Sequence, residues 1–375
     1  MATLLEAPKG LEGVVVAETA IGDVRGEEGF FHYRGHDATV LAREHTLEDV
    51  WHLVLLGHLP DAPERDRFAA RVAEARRLLP VELLAALPGV AAVNGDDRMA
   101  ALRTAWSMAA VALGCRPWID LAGPERIDQA VWLAAAGPVL AAGVHRDGVA
   151  DELADAPAGT AAAYLRLVTG DPPSPVAARA LERYLVLTID HGLNASTFAA
   201  RTVASTGADL GAVVVAGLCA LSGPLHGGAP SRALEMLEAI GTADRAEQWV
   251  RSAIARGERI MGFGHRVYRT EDPRATLLRE TARELGGSRV ELAMHVEEVV
   301  LGVLRELKPD RVLDVNVEYH AALVLDAVGL PRALFTPTFA LSRAIGWTAH
   351  ALEQMADGRI IRPSSRYVGP SPLRR

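Results

Sequence analysis

From residue 46 onward, hydrophobic positions recur three and four residues apart with charged residues between them, the spacing of helices that bury one face. Thr46-Leu-Glu-Asp49 has the form of a capped start, Val50, Leu53 and Val54 follow it, and Gly57 to Pro60 supply a stop. Glu64 to Leu79 places Phe68, Val72 and Leu79 near one face with charges opposite. A helix through Tyr164–Val168 ends at the loop Gly170-Asp-Pro-Pro173, and another runs on through Arg183 and Leu187. Ser231–Ile240 and Val290–Leu307 repeat the helical pattern. Two runs, Ala130–Val144 and Gly211–Leu225, carry no charge at all. Each is shorter than the ~20 residues of a membrane span, and Pro138 and Gly217 interrupt them, so both predict buried core helices of a soluble protein. Only residues 11–35, with Val14–Val16 and the glycines at 22, 26 and 29, predict a short extended or hairpin-like entry. No strand–helix alternation follows residue 40, which excludes a parallel-sheet enzyme and predicts an all-α fold.

Length changes this picture first. At 375 residues the chain exceeds the ~250–300 over which a single core keeps growing, so two domains or one large one are expected. The turns at Ser222–Pro224 and Gly329–Pro331 are the candidate passages between packed units. Aromatics make up only 5% of the chain, so core volume must come from closely packed aliphatic helices. The net charge of −8 argues against a general nucleic-acid binder, though it leaves room for a local basic pocket around a small anion. Two cysteines, Cys115 and Cys219, are too few for a disulfide framework or a structural zinc site. With no basic head and apolar stretch in Met1 to Glu12, they point to the cytoplasm.

Three histidines sit in unusual company. His226 lies in Gly223-Pro-Leu-His-Gly-Gly-Ala229, His265 in Gly262-Phe-Gly-His-Arg-Val-Tyr268, and His191 in Asp190-His-Gly-Leu-Asn-Ala-Ser-Thr197. Glycines beside a polar side chain let backbone approach a ligand, and histidine exchanges hydrogen bonds near neutral pH. For most of the twelve histidines, His32, His45, His52, His58 and His145 among them, a surface or satisfied core position is the default. The one i, i+4 pair, His32 and His36, encloses Gly35 in the extended entry, and no cysteines cluster, so no metal site is expected. Gly262-Phe-Gly264 lacks the strand, third glycine and acidic residue of a dinucleotide fingerprint. Arg274, Arg343 and Arg362 are natural bidentate partners for a dicarboxylate, although a solvated or paired arginine is the default for each alone. Composition and spacing go as far as a helical enzyme or ligand-binding protein.

Taken together, these segments resemble the citrate synthase family. The resemblance is carried by Gly262 through Arg274, by Gly223–Gly228, by Asp190–Thr197 and by Leu334-Phe-Thr-Pro-Thr-Phe-Ala340. Gly346-Trp347, Arg362-Pro363, Tyr367-Val-Gly369, Gly10-Leu-Glu-Gly13 and Tyr33-Arg-Gly35 extend it, in the family's order, over nearly the whole chain. The resemblance implies a two-domain helical fold: a large domain of residues 1–222 and 328–375, an inserted small domain of 223–327, and a closing cleft between them. It also implies a homodimer. On the family pattern His226 is expected to hydrogen-bond the acetyl-CoA thioester oxygen, and His265 to polarise the ketone of oxaloacetate and protonate the alkoxide formed. His191, Arg274, Arg343 and Arg362 are expected to hold the keto acid, Arg362 from the partner subunit. Citryl-CoA is then hydrolysed, with coenzyme A entering as a substrate thioester and no metal or redox cofactor required. The base is usually an aspartate in Asn-Val-Asp, whereas here Val315-Asn-Val-Glu-Tyr-His320 places Glu318 there. A base one methylene longer matters, because a displacement near 1 Å can cost ~10²-fold in rate. Asp190-His-Gly192 likewise has Gly where many members have Glu. The implied activity is a citrate (Si)-synthase. The alternatives are a 2-methylcitrate synthase using propionyl-CoA and a catalytically weak paralogue that binds CoA esters or keto acids.

Overall fold

A computed structural model of the chain describes residues 5–95, 97–226, 229–264, 268, 271–308 and 313–370, with 229 and 230 as backbone only. A small antiparallel meander opens it, β1 (Gly22–Arg25), β2 (Phe30–Tyr33) and β3 (His36–Asp37), paired in that order with Gly22 opposite Tyr33 and Tyr33 opposite His36. The helices follow. The first nine are α1 (Ala38–Glu44), α2 (Leu47–Leu56), α3 (Ala62–Ala75), α4 (Val81–Val93), α5 (Arg98–Ala112), α6 (Gly123–Gly143), α7 (Val149–Glu152), α8 (Thr160–Thr169) and α9 (Pro175–Thr188). The rest are α10 (Ala195–Ala204), α11 (Leu210–Leu221), α12 (Ala229–Ile240), α13 (Ala246–Ala255), α14 (Pro273–Leu285), α15 (Ser288–Leu307), α16 (Val317–Ala327) and α17 (Phe335–Asp357). The fold is mostly helical, with the extended entry confined to the meander.

Local chemistry sets the helix starts. Thr46 and Asp49 exchange the two bonds of a capping box at α2, each 3.2 Å long. Asp61 and Glu64 do the same at α3, with Pro63 in the first turn. A good cap contributes ~1 kcal/mol, whereas burying one large apolar side chain contributes ~1.5–3. The core therefore dominates where the two disagree. Pro138 is the instance: the predicted interruption does not occur, because α6 runs straight through it with Gln129 to Gly143 buried throughout but for Trp132. Gly217 does not break α11 either. A Cβ there would lie 2.5 Å from the Trp347 ring, so the glycine lets α11 approach α17 closely. The second uncharged run is nevertheless shorter as a helix than predicted. It ends at Leu221, and Leu225 stands 98% exposed in the turn beyond. The helix predicted to reach Leu79 likewise gives way after Ala75 to a tight 3₁₀ turn over Arg76–Leu78.

The buried side chains form one continuous apolar cluster that includes Trp51, Trp106, Tyr164, Tyr184 and Trp347. Its centre is α17, packed against α2, α5, α6, α9, α10, α11 and α12 and buried on nearly every side. The meander is pinned to this centre by Tyr33, whose hydroxyl donates to Val186 O at 3.0 Å. Further along, α14 packs on α16, and both lean on α9. Among the described residues no helix is long and apolar enough to cross a membrane.

Candidate active site

Where α9, the loop before α10, the turn after α11 and the starts of α14 and α16 meet the middle of α17, they enclose a cavity of about 890 Å³. His191, His226, Arg274, Glu318 and Arg343 all line it. Arg362 does not: it is exposed in the extended segment after α17. His265 lies outside the described residues.

Glu318 sits in the first turn of α16. Asn316 caps that helix by accepting the Glu318 N–H at 3.0 Å, and its amide donates to Gly264 O at 2.9 Å. Asn316 N–H also donates to Gly262 O at 2.9 Å, and Gly264 N–H to Asp314 O at 2.7 Å. The glycine-rich segment is thereby laced to the start of the Glu318 helix. Apart from its face on the cavity, Glu318 is surrounded by protein. Burial pushes its carboxyl up to about 7, beyond what the opposing pull of Arg274 and Arg343 removes.

His226 closes the turn from Gly223, with its Nε2 2.9 Å from Ser196 Oγ and accepting the Ser196 N–H at 3.3 Å. That leaves the ring proton on Nδ1. Trp347 Nε1–H donates to the same Ser196 hydroxyl at 3.3 Å, so the central helix helps set the imidazole. Burial, then the charge of Arg343, push the His226 pKa down to about 4, and the ring is neutral at pH 7.

The basic groups are fixed from behind. Asp272, the N-cap of α14, receives Arg274 Nε at 3.0 Å and Nη2 at 2.8 Å in a bidentate pair. Asp272 also accepts the Val317 N–H at 3.3 Å, tying α14 to α16. Arg343 rises from α17, donates through Nε to Thr188 O at 3.0 Å, and stacks 4.7 Å from the Phe339 ring centre. His191 Nε2 lies 3.1 Å from the Tyr268 hydroxyl, with its ring beside Phe31. The cavity thus offers two guanidinium groups, a carboxyl that titrates near neutrality and a neutral imidazole. Such a set is chemically able to hold a dianion and to take a proton from carbon beside it.

Several cavity-lining positions escaped the sequence reading. Tyr184 and Thr188 line the cavity but look like ordinary helix residues in sequence. Asn316 carried a usable signal, since Asn directly before an apolar helical run is a preferred N-cap. Among the described residues one group of metal-capable side chains converges, His52, His58 and Glu64, with ligand atoms within 4.8 Å of one another. None of the three lines the cavity, and Glu64 is engaged by the Asp61 N–H and by His58.

A family model described as "Citrate synthase, C-terminal domain" matches residues 10–364. The citrate synthase of Haloferax volcanii is 37% identical over 372 residues, spanning 98% of this chain and 97% of that one. A solved structure of citrate synthase from Thermoplasma acidophilum, a ternary complex with carboxymethyl coenzyme A and oxaloacetate, aligns with a TM-score of 0.85 at 28% identity over 98% of each chain. The Pyrobaculum aerophilum citrate synthase aligns with a TM-score of 0.83 at 33% identity, covering 99% of this chain and 96% of that chain.

Proposed function

Because this chain belongs to the citrate synthase family of acyltransferases, we propose that it condenses acetyl-CoA with oxaloacetate and water to give citrate and free CoA. The observation that carries this reading is the convergence, on one cavity, of a carboxyl with a pKa of about 7, a neutral imidazole and two guanidinium groups. Ionised Glu318 takes a proton from the thioester methyl group. His226 supplies a hydrogen bond to the thioester oxygen, and that bond strengthens as enolate charge develops there. The enolate carbon then attacks the ketone carbon of oxaloacetate, and by resemblance His265 protonates the resulting alkoxide. Water hydrolyses the citryl thioester, and CoA leaves as the thiol. Arg274, Arg343 and His191 hold the two carboxylates.

The residues proposed as the small domain, 223–327, contribute His226, Arg274 and Glu318, while the remainder contributes His191 and Arg343. Closing one on the other would exclude water before enolisation. Arg362 lies exposed outside the cavity of its own subunit, and its role at the partner's site of a homodimer rests on the resemblance; the alternative is an ordinary surface arginine.

The acyl group is the finer question. Ala321, one turn beyond Glu318, and Ala220 leave small side chains on the cavity wall, an observation that favours testing propionyl-CoA as a second substrate. One methylene changes selectivity by only ~1–3 kcal/mol. The deciding experiment measures CoA thiol release from oxaloacetate with acetyl-CoA and propionyl-CoA side by side. Faster release with acetyl-CoA is the expected outcome. Preference for propionyl-CoA would make the enzyme a 2-methylcitrate synthase, and no release from either would reduce it to a CoA-ester or keto-acid binding protein.

A further inference from the structure

Behind the cavity wall runs a line of buried polar groups that the reaction above does not use. Asp190, His350 and Arg201 are 1%, 0% and 2% exposed. His350 Nε2 lies 3.1 Å from Asp190 Oδ1, and Arg201 Nη1 lies 3.0 Å from His350 Nδ1. A guanidinium only donates, so Nδ1 of His350 accepts and its ring proton sits on Nε2, pointed at Asp190. Arg201 is held in turn by Gln354 Oε1 at 3.0 Å and Glu353 Oε2 at 2.6 Å. Glu353 then accepts the Ala20 N–H at 2.8 Å.

The near end of this line grips the loop that carries His191. The second oxygen of Asp190 accepts the Gly192 N–H at 3.0 Å, so one carboxylate spans the histidine between them. Asp190 also faces Arg343. Burial alone would raise its carboxyl, but the His350 hydrogen bond, the charge of Arg343 and the Gly192 N–H together hold it below the usual range. The same helix presses on this loop twice more: Arg343 Nε binds Thr188 O, and Gly346 leaves no room for a Cβ against Ile189 O.

Packing does not require this arrangement. Exchanging a buried ionic chain for apolar residues of similar volume is often neutral or stabilising, so its presence calls for a reason other than stability. The loop and the guanidinium at its near end both belong to the keto-acid site.

We propose that His350, oriented by Arg201, is a positioning residue for keto-acid binding, acting through Asp190 to fix the backbone on both sides of His191 and to set a negative charge behind Arg343. This inference rests on the keto-acid reading of the cavity.

The test compares His350→Phe, which keeps ring volume and loses both hydrogen bonds, with His350→Gln, whose amide offers N–H donors and a carbonyl acceptor. His350→Phe should raise the KM for oxaloacetate about tenfold, the size expected for a lost hydrogen bond to a buried charge, with the KM for acetyl-CoA within about twofold. His350→Gln should recover most of that loss. Asp190→Asn, which keeps shape but not charge, should reproduce the oxaloacetate defect and provides the measurement if His350→Phe does not fold. Hydrogen exchange of the 189–197 segment should be faster in His350→Phe than in wild type or His350→Gln, and this readout needs no turnover. A folded variant with wild-type oxaloacetate KM, or equal defects for both substrates, would overturn the proposal. So would unchanged exchange of that segment. If wild-type protein releases no CoA while exchange responds as described, the reaction reading fails and the relay to the loop stands.

Discussion

Two long helices cross the centre of this molecule, and they are buried to a similar degree for opposite purposes. In α6 the stretch from Ala130 to Gly143 is wholly uncharged, and its side chains contribute apolar packing. In α17 the buried face includes Thr338, Ser342, Arg343, Thr348, His350 and Gln354. Each of these six polar side chains has a hydrogen-bond partner on another residue. An apolar helix stabilises the frame through area removed from water. A buried helix with satisfied polar groups contributes less per residue but holds charged atoms where solvent would otherwise screen them. The frame and the site are thus made by adjacent helices with different chemistry, and damage to each should read out differently.

The largest expected effect is on the site side. Glu318→Gln should lower kcat by about 10³-fold or more while oxaloacetate still binds, since the amide keeps the shape and cannot take a proton. In wild type, activity should rise as pH passes through about 7, where the Glu318 carboxyl ionises. Stability should move the other way. A carboxyl whose pKa is raised on folding binds its proton more tightly in the native state, so its contribution is present below the unfolded value and lost as pH rises through about 7. Glu318→Gln should therefore melt higher than wild type at pH 8, with the gain shrinking towards pH 4.5. Melting curves at both pH values check this, and an equal difference at the two would refute it.

On the frame side, Leu140→Ala in α6 should cost about 2–5 kcal/mol of stability by opening a cavity, with kcat near wild type at temperatures where the variant stays folded. Denaturant titration beside steady-state kinetics tests the separation; a kcat loss matching that of Glu318→Gln would erase it. The smallest effect is expected at a local signal. Thr46→Ala removes the side-chain half of the α2 capping box and should cost about 1 kcal/mol with no change in either KM.

Much of this organisation was legible in the chain. The capping box at Thr46, the stop at Gly170 and the apolar stripes of α12 and α15 act over a few residues, so their information is local and readable. The resemblance named seven residues for one site: His191, His226, Arg274, Glu318 and Arg343 line one cavity, Arg362 does not, and His265 lies outside the described residues. What failed was any reading in which tertiary burial outweighs a local rule. Pro138 costs α6 one hydrogen bond, but the helix is so completely buried that ending it there would cost more.

The sequence by itself determined where helices begin, which faces they bury and which side chains are chemically able to act, because each of these depends on neighbours within a turn or two. Only the tertiary structure decided that residues as far apart as His191 and Arg343 share one cavity. It alone decided that Glu318 is pushed towards 7 and His226 towards 4, since desolvation belongs to the surroundings rather than to the side chain. And it turned His350, an unremarked histidine in a helix, into the link between Arg201 and Asp190, because a ring's two nitrogens acquire a role only when partners from other elements are brought to both.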